Sequence, residues 1–181
     1  MIPSEKSEKK SKKKYKDYFE LLEVYVKFNK FTKAAKIAEK LLKDDAENKK
    51  KNNALLHVVL AHANLAENKT DDMKENLKKA KDLDEKNRKG FYEMAVCVEM
   101  KIFFDKKEWE NLLKVWKDFK ALKFKVKDKQ KTLWYPMMAY YNDKDWKNCE
   151  KLLKDIYKDD KKSEKGKKAL EMLMELKEKD D

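Results

Sequence analysis

Apolar residues recur along this chain at helical spacing, in stretches separated by short polar turns. Tyr15, Tyr18, Phe19, Leu22, Tyr25 and Val26 share one side of a helix, and the spacing predicts a helix over 15–28. Asn29-Lys30 breaks the pattern. A second helix is expected from Thr32, as its cap, through Leu42, with a small face of Ala34, Ala35 and Ala38. Residues 44–53 are polar and read as a loop. Residues 54–66 are apolar nearly all round, which predicts a helix covered on several sides. The alternation continues with a turn at 67–69, a helix from Thr70 to Leu83, a loop over 84–90 and a helix over 91–104. After a turn at 105–107 comes a helix over 108–122, then a basic loop over 123–130. Thr132 is a candidate cap for the next helix, which places Pro136 in or just after its first turn, where a missing N–H costs little. A turn at 142–144 and a helix over 145–158 follow. A last helix within 164–179 takes Leu170, Met172, Leu173 and Met174 on or near its apolar face.

Within this alternation one pattern occurs four times. Phe31-x-x-Ala34-x-x-x-Ala38-x-x-Leu41 is echoed by Thr70-x-x-Met73-x-x-x-Leu77-x-x-Ala80. It returns as Trp109-x-x-Leu112-x-x-x-Trp116-x-x-Phe119 and as Trp146-x-x-Cys149-x-x-x-Leu153-x-x-Ile156. The starts are 39, 39 and 37 residues apart, and a period of this size signals stacked supersecondary units. The expected fold is all-α. A basic flexible tail over 1–14 precedes a single helical-repeat domain over 15–181, with units near 15–48, 54–87, 91–122 and 131–158 and a cap over 164–179. The alignment makes Trp116 a buried residue between helices.

These residues resemble the tetratricopeptide repeat (TPR). Phe31, Trp109 and Trp146 stand where that family has an aromatic after the turn, and Ala34, Ala38 and Leu41 match its close-packing positions. Thr70 departs from the aromatic, and Leu112, Trp116 and Phe119 are bulky where the family prefers small residues. The turn glycine is absent: Asn29, Asn68, Lys107 and Lys144 stand there. The proline usual after the trailing helix is replaced by Ala46 and Glu85. The resemblance covers about residues 15–158. It implies an α-solenoid of about four antiparallel helix pairs, a right-handed superhelix with a C-terminal capping helix. It also implies a concave face built by the leading helices. There the alignment places Phe19, Glu23 and Val26, then Leu55, Val58, His62 and Leu65, then Met94, Cys97, Lys101 and Phe104, then Trp134, Met138 and Tyr141. The partner-binding residues expected from it are Leu55, Val58, His62, Lys101, Trp134, Met138 and Tyr141, the last three on one helix face at i, i+4 and i+7. The function it implies is non-catalytic, a protein-binding or peptide-binding adaptor or scaffold. A relative that clamps chaperone tails uses Lys and Asn at places held here by Phe19, Glu23, Val58 and His62, so no such clamp is expected.

Composition sharpens this picture. Two glycines and two prolines disfavour a turn-rich fold, and aromatics at 11% argue against disorder. The formal charge of +12 rests almost wholly on lysine, since Arg88 is the single arginine. Sequence-reading nucleic-acid binders lean on arginine's planar fork. Residues 114–131 nevertheless carry eight lysines against two aspartates, and Lys120, Lys123, Lys125, Lys127, Lys129 and Lys131 form the densest run. Phe124 and Val126 alternate with them, which gives one apolar face if the segment is extended. A basic patch of this kind suits RNA, an acidic partner or an anionic membrane, and a nucleic-acid-binding α-repeat is the alternative function. Self-association through the apolar face is a third.

His57 and His62 lie about 140° apart on a helix and cannot form a two-histidine metal site there. Cys97 and Cys149 have no metal or redox spacing. Two thiols without a disulfide framework or a leader point to the reducing cytoplasm, and no apolar run reaches the length of a membrane span. There is no glycine-rich phosphate loop and no nucleophile–His–acid set, so neither a catalytic activity nor a cofactor or metal is expected.

Overall fold

Every regular element is an α-helix in the computed structural model, which describes residues 5–180, with side chains described over 13–177. Among the described residues these are α1 (Glu5–Lys27), α2 (Phe31–Asp44), α3 (Asn53–Ala66), α4 (Thr70–Leu83), α5 (Phe91–Asp105), α6 (Trp109–Ala121), α7 (Lys129–Asn142), α8 (Trp146–Asp159) and α9 (Glu164–Asp180). The four pattern starts, Phe31, Thr70, Trp109 and Trp146, are the first residues of α2, α4, α6 and α8. Of the tail expected over 1–14, residues 1–4 lie outside the described residues, and α1 takes in the segment from Glu5 onward.

Each helical hairpin reverses the chain in three residues, and it does so the same way four times. The middle residue of each turn is left-handed: Asn29 at φ 54°, Asn68 at 58°, Lys107 at 59° and Lys144 at 58°. Around it two hydrogen bonds close back onto the leading helix. Asn29 N donates to Val26 O at 3.0 Å and Lys30 N to Tyr25 O at 2.8 Å. Lys107 N donates to Phe104 O at 3.0 Å and Glu108 N to Phe103 O at 2.8 Å. The other two turns repeat the pair. This is the Schellman ending, which satisfies the last carbonyls of a helix and normally uses glycine at the left-handed position. Asparagine tolerates that conformation; lysine pays about 1–2 kcal/mol for it.

The chain divides into two compact units after Glu85. In the first, α2 packs on α1 and α3, and α3 on α4. Its core is Tyr15 and Leu22 of α1, Ala34, Ala38 and Leu41 of α2, and Leu56 and Val59 of α3. The alanines let α2 approach closely, and both are fully buried. From α4 come the buried Met73, Leu77 and Ala80. His57 Nδ1 donates to Asn76 Oδ1 at 2.7 Å, tying α3 to α4. The loop between α2 and α3 is organised by the buried Asp45, whose carboxylate accepts from Lys49 N and Lys50 N at 2.9 Å each.

In the second unit α5 packs on both α6 and α7, α7 on α8, and α8 on α9. Its core runs from Val96 and Met100 through Leu112, Trp116 and Phe119 to Met137, Leu153, Ile156 and Leu173. Trp116, at 6% exposure, sits where the repeat alignment puts it.

Three details differ from the sequence reading. α2 begins at Phe31 with Lys30 at its N-cap, so Thr32 is inside the helix. α7 begins at Lys129, capped by Asp128, whose side chain accepts from Lys131 N. Thr132 is therefore not the cap; it is buried in the first turns, and Pro136 falls mid-helix, leaving the Thr132 carbonyl without its helical donor. On α9 the buried face is Ala169, Met172, Leu173 and Leu176, whereas Leu170 and Met174 face outward.

Two outcomes test these contacts. Lys107→Gly and Lys144→Gly should each stabilise the protein by about 0.5–1 kcal/mol, because relief of the left-handed strain exceeds the entropy glycine adds to the unfolded chain. A denaturant titration reads this, and a loss would mean that the lysine side chains, not φ, decide the turns. His57 titrates below its ordinary 6.5 because burial disfavours its charged form. Its neutral state is preferred in the fold, so stability is complete above pH 6.5 and declines as pH falls from there through the folded pKa. From pH 7.5 to 5.5 the wild type should lose more melting temperature than His57→Gln; equal losses would show that His57 carries none of it.

Candidate binding surfaces

The expected partner-binding residues fall on separate elements. On α3, Leu55, Val58 and His62 lie along one side. Val58 is buried at 1% exposure and offers no surface to a partner, and Leu55 is half-buried. His62 stacks on Phe31, ring centroids 4.1 Å apart. Phe31, the first residue of α2, is thus held against α3, the leading helix of the next hairpin, by a flat ring contact.

In the second unit Lys101 is engaged by Asp105, with Nζ to Oδ2 at 2.6 Å. Trp134, Met138 and Tyr141 form one half-exposed stripe along α7. Lys165 Nζ and Lys168 Nζ of α9 each lie 5.8 Å from the Trp134 ring centroid, within cation–π range. Tyr141 meets Trp146 edge-on at 5.5 Å. Met138 packs against the core. Of the expected sets of three, this is the one in which every residue keeps part of its side chain exposed.

The lysine run has a definite shape. After α6 the chain leaves the helix at Lys123, left-handed at φ 54°, and residues 124–126 carry no regular secondary structure. Phe124 turns inward, edge-on to Tyr92 at 5.3 Å and to Phe119 at 6.0 Å. Val126 also packs against the core. Lys123, Lys125 and Lys127 are exposed, as are Lys120, Lys129 and Lys131. The alternation expected of an extended segment is the one found: apolar residues in, lysines out.

What fixes the end of this segment is a residue the sequence reading passed over. Glu93, in the first turn of α5, is 2% exposed. Its Oε2 accepts from Lys127 N at 2.8 Å and from Asn87 Nδ2 at 3.2 Å. Its Oε1 accepts from Asp128 N at 3.0 Å and from Thr132 Oγ1 at 2.6 Å. Asn87 Oδ1 in turn accepts from Glu93 N at 3.0 Å. One carboxylate therefore joins the loop before α5, the lysine segment and the start of α7. The readable signal was an acidic residue in the first turn of the otherwise apolar start of α5, which a helix buried on most sides tolerates only when its charge is hydrogen-bonded.

Beside this network is a cavity of about 200 Å³ lined by Gly90, Glu93, Cys97, Lys127, Lys131 and Thr132 among others. Gly90 has φ +84°, and a Cβ there would stand 3.1 Å from the Lys127 side chain. The Cys97 thiol, 3.5 Å from Thr132 Oγ1, is pushed up to about 11 by burial, and Cys149 likewise to about 11. Both stay protonated near neutral pH, which makes them poor nucleophiles. Among the described residues no group of three or more His, Cys, Asp or Glu could hold a metal ion, and no helix is long and apolar enough to cross a membrane. Compared with known proteins, the chain matches no family model, no curated protein and no solved structure at a significant level.

Removing the buried carboxylate should open the segment. Glu93→Ala strands four donors at once, so it should cost at least about 3 kcal/mol. Amide exchange at Lys127 and Asp128 should accelerate well beyond that of α6. Unchanged exchange at those two amides would show that Phe124 and Val126 alone hold the segment.

Proposed function

We propose that this protein is a non-catalytic binding module, a TPR-like α-solenoid of four helical hairpins with α9 as its cap, acting in the cytoplasm as an adaptor for a protein or peptide partner. The observation that carries the reading is the repeated hairpin: four times the same three-residue left-handed turn, at a period of 37–39 residues, with the pattern start as the first residue of the trailing helix. Arrays of such units work by presenting side chains rather than by chemistry. The contact surface we assign is the α7 stripe of Trp134, Met138 and Tyr141. Aromatic and methionine side chains offer apolar area to a partner with few rotatable bonds or with adaptable shape. Lys165 and Lys168 beside Trp134 favour a partner that carries acidic residues next to its apolar anchors.

The test is what co-purifies with the tagged protein from its own cells, at about 50 and about 200 mM salt. A defined protein that survives the higher salt and is lost from Trp134→Ala/Tyr141→Ala is the expected result. A partner retained by that double variant would remove the stripe from the interface.

A further inference from the structure

The lysine segment is not used by the α7 stripe, and its geometry points elsewhere. We infer that the exposed Lys120–Lys131 segment of the second unit is a binding surface for the phosphate backbone of nucleic acid, independent of base sequence. The inference does not rest on the protein-binding reading, because it uses other side chains.

Three observations carry it. The first is surface charge held in no ion pair. Some lysines elsewhere pair closely, as Lys69 does with Glu67, Lys79 with Glu75 and Lys154 with Glu150, at 2.6 Å each. None of Lys120, Lys123, Lys125, Lys127, Lys129 and Lys131 is in an ion pair among the described residues. The one carboxylate within the segment is Asp128, which is committed to capping α7. Six exposed cations without an ion pair among the described residues match a ligand whose charge is of one sign and uninterrupted. Nucleic acid carries one phosphate per nucleotide, whereas protein surfaces mix their charges.

The second observation is order. With Phe124 and Val126 turned into the core and the amides of Lys127 and Asp128 bound by Glu93, the backbone is held at both ends. Lys123, Lys125 and Lys127 stay exposed on this fixed backbone, so they form a fixed set rather than a mobile cluster. A set already in place loses less entropy on binding than a flexible tail would.

The third is what the segment lacks. Its aromatic residue, Phe124, is turned into the core, so no ring is offered for base stacking, and it has no arginine to read base edges. The surface therefore contacts phosphates alone. Binding should be indifferent to sequence and steeply dependent on salt.

The measurement is fluorescence anisotropy of a labelled twelve-residue oligouridylate titrated with the full chain. Between about 50 and 200 mM salt the affinity should fall tenfold or more. Lys123→Gln/Lys125→Gln/Lys127→Gln should weaken binding at least tenfold at the lower salt and flatten the salt dependence. Lys36→Gln/Lys74→Gln/Lys78→Gln, in the first unit, lowers net charge equally and should change affinity less than threefold; all six side chains are exposed, and circular dichroism checks that both variants stay helical. No binding at the lower salt would overturn the inference, as would equal losses in the two variants, which would make net charge the cause. A labelled polyglutamate of the same charge that binds as tightly as the oligonucleotide, and is lost from the first variant, would also overturn it by making the ligand an acidic polypeptide.

Discussion

Each hairpin has to turn the chain back within three residues, and that requirement governs the organisation of the whole sequence. A helix ends with unsatisfied carbonyls. The shortest way to satisfy them and reverse direction is one left-handed residue followed by two bonds back onto the helix. That residue stands two places before each trailing helix, so the spacing between the turn and the first packing residue is constant. The packing pattern inherits the constancy: Ala34, Met73, Leu112 and Cys149 all lie three residues into their helices and all are buried. The period is thus a consequence of turn geometry more than of any shared side chain, which explains how Thr70 can replace an aromatic and Trp116 an alanine without disturbing it.

This is also why so much of the fold was legible. Polar breaks at Asn29-Lys30, Asn68, Lys107 and Lys144 located the turns, and apolar spacing of three and four located the buried faces. The boundaries that failed are those where a side chain outside the local pattern decides. Thr132 has the chemistry of a cap, but its hydroxyl is taken by Glu93, thirty-nine residues earlier, and Asp128 caps in its place. On α9, Leu170 and Met174 satisfy a helical stripe as well as Met172 and Leu176 do. Only the direction from which α8 approaches selects between them, and periodicity within one helix contains no such information.

The candidate surfaces divide in the same way. The α7 stripe could be read from spacing alone, since i, i+4 and i+7 place side chains in line whatever surrounds them. Val58 could not be judged so, because burial depends on its neighbours rather than on its face. The Glu93 network was invisible for a further reason. Two of the carboxylate's four donors are backbone amides, which every residue has, so no side-chain pattern at 127 or 128 marks them.

Six unpaired lysines within twelve residues raise the question of how the segment stays ordered. Exposed ammonium groups several ångströms apart in water repel by less than about 1 kcal/mol per pair, and physiological salt, with a Debye length of about 8 Å, reduces this further. Burial of Phe124 and Val126 contributes about 1.5–3 kcal/mol each when complete, and both are only half-buried, yet even half of that is comparable with the sum of neighbouring repulsions. The hydrogen bonds to Glu93 then tip the balance, because a bond to a charged group contributes about 1.5–3 kcal/mol. The carboxylate also lies beneath the lysines and opposes their charge without reaching the surface to neutralise it. An exposed acid at the same place would have paired with one lysine and reduced the outward field. Burying the anion and fastening it to backbone amides lets the protein keep a positive surface and a fixed loop together, two properties that mutual repulsion would otherwise set against each other.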